Sequence, residues 1–411
     1  MKIAIFTDVF LEVPGGIPSS IQAQKASLEA MGHEVIVFCP GWEYSKTGEG
    51  VVKVPSFPKF LSPGGAPLSR GPKTVEAWVL ENFPKFADFD IVHVHYEASC
   101  SIAGVILARR FRIPLVQTMH GREDMAIAVN VPHPFKTIVG AMLNFLHSRY
   151  IRHEIILGRD SYLAPTIARA KMWTLMVNHA DAADVVLTPS KHFKDKLKRY
   201  GVKKPIEVVS NGVSDEMVKE FDKMAMKKKG TLVRSMSEKE PLKLIWNSRV
   251  SNEKRMMPFL EAISLMKRPV ELSVYGDGNA LRKGEKFVKR HKLNVKFYGR
   301  VKHQKILEKM VDEHMGVMAS YGFDTQGLTL LEAEATGLPV FFVDPDMKEV
   351  VPRFGAVRSG PSPREMAWAL DRIKPEKIEE MSTVMLECRR EVFQSTQIKR
   401  LLEIYKGLIS K

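Results

Sequence analysis

Ile3-Ala4-Ile5-Phe6, then Val13-Pro14-Gly15-Gly16-Ile17-Pro18-Ser19, then Glu34-Val35-Ile36-Val37-Phe38-Cys39: this succession opens the chain and decides its class. The first and last runs are apolar without polar alternation, as expected of strands covered on both faces. Between them Ile21, Ala26 and Leu28 carry a helical period that stops at Gly32. Strand, glycine loop, helix and strand make a βαβ unit, so the expected class is α/β with a parallel sheet. The strand pattern returns at 90–95, 114–119 and 183–188, with helical periodicity between.

After residues 206–212 the composition changes. Residues 215–241 are dense in charge and read as a helix plus an exposed connector. A second α/β series comes next, with strands expected at 242–247, 270–275, 295–298, 315–319 and 339–343. A length of 411 residues favours two domains of roughly 150–200 residues. The expectation is two doubly wound domains, 1–212 and 213–389. One helix over 381–410 closes the chain, and about residues 390–411 are expected to pack back on the first domain.

A hydrophobic fraction of 45% excludes wholesale disorder. Cys39, Cys100 and Cys388 are too few and too scattered for a disulfide framework or a four-cysteine zinc site, which points to a reducing, cytoplasmic compartment. The opening strand meets Asp8 before a signal-peptide core forms, and no apolar run approaches the ~18 residues that span a bilayer. The net charge of +15 attracts polyanions: nucleic acid, an anionic leaflet or a phosphorylated small substrate. The cations are spread along the chain and no nucleic-acid-binding signature is present, so nucleic acid is not an expected partner.

Several chemistries are also unsupported. Gly276-Asp277-Gly278 lacks the third glycine of a dinucleotide fingerprint, and there is no P-loop and no H-E-x-x-H pair. His93-Val94-His95 on a buried strand reads as structural. What remains are loops suited to phosphate at the carboxyl ends of strands, where open α/β sheets bind ligands. Gly15 and Gly16 let backbone approach a ligand. Arg249 and Lys254, after the strand ending at Asn247, are two cations suited to a diphosphate leaving group. In the segment from Tyr321 to Gly337, Asp324 lies in a loop, Gly327 and Thr329 sit where a helix begins, and Glu332 lies one to two turns in. The loop carboxylate is placed for sugar hydroxyls, Glu332 for a ribose, and the intervening amides for phosphate.

Taken with Thr118-Met119-His120-Gly121, Thr188-Pro189-Ser190, Ser210-Asn211-Gly212-Val213 and Tyr298-Gly299-Arg300-Val301, these pieces run in one order to about residue 345. In that order they resemble retaining glycosyltransferases of family 4. The resemblance implies the GT-B fold, two Rossmann-like doubly wound domains facing a central cleft. It implies that Gly15 and Gly16 meet the donor diphosphate or the acceptor, and that His120 hydrogen-bonds the transferred sugar. Arg249 and Lys254 neutralise the departing diphosphate. Gly276, Arg300 and Val301 border the nucleotide, Asp324, Gln326, Gly327, Leu328 and Thr329 hold sugar and phosphate, and Glu332 takes the ribose. One departure concerns Asp324, where the family usually has Glu; its carboxylate reaches about 1.5 Å less far.

The chemistry so implied needs no metal and no cofactor beyond the nucleotide-sugar co-substrate. It retains the anomeric configuration by front-face attack, with donor phosphate assisting acceptor deprotonation. The expected partners are a nucleotide-sugar donor, taken as a UDP-hexose with glucose the favoured sugar, and a lipid or saccharide acceptor. Apolar side chains beside cations in 51–86 and 134–152 favour a lipid such as diacylglycerol on an anionic membrane, placing the protein peripherally on its cytoplasmic face. Transfer to a soluble or polyprenyl-linked saccharide is the alternative; a nucleotide-sugar 2-epimerase of the same fold is more remote.

Overall fold

The computed structural model describes residues 1–12, 15–42, 48–61 and 66–410, so Val13 and Pro14 of the glycine loop and residues 62–65 fall outside the described residues. The chain divides into two compact units. One holds residues 1–210 together with the segment from Ile398, the other 211–397. The sequence places these divisions at 212 and 389.

The first unit has seven strands: β1 (Lys2–Phe6), β2 (Glu34–Pro40), β3 (Val51–Val54), β4 (Ile91–Val94), β5 (Leu115–Thr118), β6 (Val185–Thr188) and β7 (Ile206–Val208). They lie in the order β3-β2-β1-β4-β5-β6-β7, every neighbour parallel, with Ile3 opposite both Val35 and Ile91. Helices α1 (Gly16–Ala30), α2 (Pro72–Asn82), α3 (Ser99–Phe111), α4 (Glu123–Asn130), α5 (Lys136–Ser148), α6 (Ile167–Asp181) and α7 (Lys191–Arg199) make the crossovers. The alternation of side chains along β1 explains why its whole run is apolar. Ile3 and Ile5 enter one core with Ile21 of α1, and Ala4 and Phe6 enter another with Val75 of α2 and Val105 of α3.

The second unit repeats the plan with six strands: β8 (Leu242–Asn247), β9 (Val270–Tyr275), β10 (Val295–Gly299), β11 (Met315–Met318), β12 (Val340–Phe342) and β13 (Ala356–Arg358), ordered β10-β9-β8-β11-β12-β13, all parallel. Its helices are α8 (Asp215–Lys229), α9 (Met256–Leu265), α10 (Leu281–His291), α11 (His303–Met310), α12 (Leu328–Ala335), α13 (Pro363–Asp371) and α14 (Pro375–Cys388). The last helix, α15 (Gln394–Ile409), starts in the second unit, and its Leu401 and Tyr405 lie in the core of the first. In both sheets the strand order reverses beside the first strand, at β1/β4 and β8/β11. That reversal opens the crevice where such sheets take ligands.

Three sequence expectations are corrected. Residues 381–410 form two helices, not one, because α14 ends at Cys388 and a short 3-10 turn precedes α15. The connector before β8 is not simply exposed: Arg234 is buried, its amide donating to Ser382 Oγ at 2.8 Å and its guanidinium to the Thr336 carbonyl at 3.2 Å. Burial lowers its pKa to about 10. Residues 51–86 hold an edge strand and the packed helix α2, so only Phe57, Phe60 and Leu68 remain there as exposed large apolar groups among the described residues.

Candidate functional site

Charged and polar groups converge in the second unit at the carboxyl ends of β8 and β11. Lys254 Nζ lies 2.5 Å from Asp324 Oδ1, and Ser320 Oγ donates to Asp324 Oδ2 at 2.5 Å. Both ionic side chains are mostly buried, at 16% and 12% exposure. An ammonium has three N–H donors, so a single carboxylate bond leaves Lys254 able to bind an anion. Arg249 differs: its side chain is 62% exposed and pairs with Glu253 at 3.1 Å. The structure thus joins Lys254 to Asp324 and leaves Arg249 in a separate pair.

Past Asp324 the chain turns into α12. Gln326 is buried, its Oε1 accepting from the Asn211 backbone N–H at 3.0 Å and from Asn211 Nδ2 at 2.9 Å. Gly327 is the N-cap at φ +76°, where an added Cβ would lie 2.8 Å from Met318 Cε; glycine is required by both space and backbone. No side-chain hydrogen bond from that cap and no acid in the first turn compete for the helix N-terminus, so the amides at Leu328 and Thr329 favour an incoming phosphate.

Glu332, one turn further, accepts from Asn247 Nδ2 at 3.3 Å and sits 3.0 Å from His303 Nε2. That hydrogen bond raises the His303 pKa above its usual 6.5. The pair therefore contributes in full below the ordinary histidine value and is lost as pH rises through the raised one. Nearby, Gly276 at φ +140° donates its N–H to the Gly299 carbonyl at 2.9 Å, and a Cβ there would fall 2.1 Å from the Ser248 carbonyl. Gly276 thereby brings the turn after β9 against the loop that carries Arg249. Tyr298, just before Arg300 and Val301, stacks on Tyr275 at 4.7 Å and is partly exposed. Arg300 is exposed and Val301 half-buried.

In the first unit Gly15 is the N-cap of α1 and Gly16 its first residue. His120 lies just after β5, its Nε2 2.8 Å from His95 Nδ1 and its ring stacked on His95 at 5.1 Å. Burial lowers the His120 pKa to about 4 and that of His93 to about 3, so both are neutral near pH 7. His93 bonds Tyr405 OH at 2.6 Å and Thr118 Oγ1 at 2.7 Å, which ties α15 into this sheet.

The same unit carries an unusual surface on α5. Ile138, Met142 and Phe145 are 65%, 50% and 61% exposed, with Phe135 and Leu146 also exposed. They recur at helical spacing. The opposite side of α5 packs on α6, where Gly140 faces the Ala168 backbone and Asn144 Nδ2 donates to the Lys171 carbonyl at 2.8 Å. His147 is buried and bonds His179 at 2.9 Å and His153 at 2.7 Å. Arg149 and Arg152 lie exposed just beyond the helix. Among the described residues no helix is long and apolar enough to cross a membrane.

Asn247, Glu253, Ser320 and His303 carry no site signal in the sequence, and Asn211 stands there only within a motif, with no role assigned. Only tertiary proximity brings them to the residues that do.

A family model described as Glycosyltransferase Family 4 matches residues 14–217, and one described as Glycosyl transferases group 1 matches residues 241–374. The alpha-monoglucosyldiacylglycerol synthase of Streptococcus pneumoniae is 27% identical over 356 residues, covering 83% of this chain and 70% of that protein. Sucrose-phosphate synthase from Thermosynechococcus elongatus superimposes with a TM-score of 0.68 at 16% identity, over 100% of this chain and 99% of that one. Anabaena HepE, solved in complex with UDP-glucose, gives 0.66 at 16% identity, over 99% and 100%. These two likenesses establish the fold, that of the GT-B glycosyltransferases.

Proposed function

Because the chain belongs to the glycosyltransferases, with a family 4 domain followed by a group 1 domain, we propose that it transfers glucose from UDP-glucose to diacylglycerol at an anionic membrane surface, with retention at the anomeric carbon. The observation that carries the lipid acceptor is α5, a helix of the first unit with large apolar side chains turned to solvent beside exposed arginines. A contiguous apolar helix face rimmed by cations suits insertion at the headgroup boundary of an anionic leaflet. The diacylglycerol synthase from Streptococcus pneumoniae supports the same acceptor, and the complex of HepE with UDP-glucose supports the donor.

In this reading Lys254, with Arg249 at longer reach, neutralises the diphosphate as the glycosidic bond to it breaks. The N-terminus of α12 holds phosphate oxygens, Glu332 accepts from the ribose hydroxyls and Asp324 from the hexose. His120, neutral near pH 7, donates or accepts a hydrogen bond at the sugar without adding charge. We include no metal: the cations and helix amides of this chain supply the leaving-group stabilisation, and charges and dipoles oriented in advance do most of the stabilising in such sites.

Thermal unfolding with a panel of UDP- and GDP-sugars tests the donor. A ligand bound only by the folded state at about 100 times its Kd stabilises by about 2.7 kcal/mol. UDP-glucose is expected to give the largest upward shift; a larger shift from a GDP-sugar contradicts the donor assignment.

A further inference from the structure

The carboxyl ends of β1, β4 and β5 hold a polar cluster with no role in donor binding. Asp8 lies after β1, Tyr96 and Glu97 after β4, Gln117 on β5, and Glu123 opens α4. Two of the three acids are already engaged. Asp8 accepts from the amides of Cys100 at 2.7 Å and Ser101 at 3.1 Å, capping α3, and from Ser69 Oγ at 3.2 Å. Glu123 Oε2 accepts from Tyr96 OH at 2.8 Å.

Glu97 is different. It is 7% exposed and has no hydrogen-bond or ion-pair partner among the described residues. Beside the same loop, Gln117 is fully buried; its Nε2 donates to the carbonyls of Tyr96 at 3.3 Å and Thr118 at 3.1 Å, while its Oε1 has no donor. Buried polar groups are normally paired, and leaving one unmade is costly. Gln117 Oε1 on β5 lacks a donor and Glu97, just after the neighbouring β4, lacks a partner, and both lie next to the β1/β4 reversal of strand order where such sheets take ligands.

We propose that Glu97 and Gln117 form a hydroxyl-binding subsite that takes the alcohol group of an uncharged acceptor and rejects a phosphate-bearing one. An alcohol is both donor and acceptor: its O–H reaches Gln117 Oε1, and its oxygen accepts from a protonated Glu97. Burial, and then the neighbouring Glu123 and Asp8, push the Glu97 carboxyl well above its usual range, which favours its proton-donating form. The same acids repel a phosphate headgroup. This inference rests on the transferase reading and assigns the residues that meet the hydroxyl of its diacylglycerol acceptor.

The test uses the full chain, UDP-[14C]glucose, and vesicles containing dioleoylglycerol or phosphatidylinositol. Wild type is expected to glucosylate dioleoylglycerol and not phosphatidylinositol. Glu97→Ala is expected to raise the KM for dioleoylglycerol about tenfold or more, equivalent to about 1.4 kcal/mol, with the KM for UDP-glucose unchanged. Glu97→Gln, which keeps a neutral donor and acceptor, is expected to stay close to wild type. Equal use of both lipids, an unchanged acceptor KM in Glu97→Ala, or equal losses in Ala and Gln overturns the subsite; the wild-type lipid comparison decides even where Glu97→Ala does not fold. Wild-type transfer to a soluble disaccharide but to neither lipid instead overturns the lipid reading, and the Ala–Gln comparison on that disaccharide then decides the subsite.

Discussion

Lys254→Ala is expected to lower kcat by about a hundredfold or more at saturating UDP-glucose, in line with the loss of one preorganised charge-stabilising group. The reason is geometric. The ammonium is 16% exposed, held at 2.5 Å by a carboxylate that is itself fixed by Ser320, so its position is set before a donor arrives. A group fixed in advance spends no reorganisation when negative charge gathers on the leaving phosphate, and its removal therefore appears in kcat more than in KM. The substitution also strips Asp324 of its cation, so thermal unfolding must accompany the kinetics. Arg249→Ala is expected to cost less, because its side chain is largely solvated and paired with Glu253. Wild-type turnover by Lys254→Ala at saturating donor contradicts the assignment.

The double substitution Ile138→Glu with Phe145→Glu is expected to abolish sedimentation with anionic vesicles while leaving the thermal shift by UDP-glucose intact. Fully burying one such side chain is worth roughly 1.5–3 kcal/mol, so losing two lowers partitioning by about a hundredfold or more. Both residues already face solvent, and the packing of α5 runs through Gly140 and Asn144, so the fold is spared. The exposed arginines add an electrostatic attraction that salt screens. Unchanged sedimentation of the double variant, or binding to neutral vesicles that ignores salt, removes α5 as the docking element.

How far these features are legible in the sequence depends on where each one's determinants lie. Strands such as β1 and β12 are buried on both faces, and unbroken apolar runs announce them. The edge strands β3 and β13 do not stand out, being three or four residues long, half exposed, and specified by pairing to β2 and β12. Arg234 misleads because a charge in a charge-dense stretch reads as solvated. Its burial depends on Ser382 and Thr336, which lie 148 and 102 residues away.

The site divides in the same way. Lys254, Asp324, Gly327 and Glu332 are visible because they stand at strand ends and a helix start. The contact of Lys254 with Asp324 spans 70 residues, and that of Asn247 with Glu332 spans 85. No spacing rule reports such contacts. Glu97 is the extreme case: in sequence it is one acid among many, and only the missing partner around it gives it meaning.

A crystal structure of the chain with UDP-glucose would probe donor binding most directly. The diphosphate is expected on Lys254 and on the amides at the start of α12, with the ribose hydroxyls on Glu332. A nucleotide bound elsewhere in the second unit, with Lys254 still bonded only to Asp324 and Glu332 only to Asn247 and His303, would contradict that assignment.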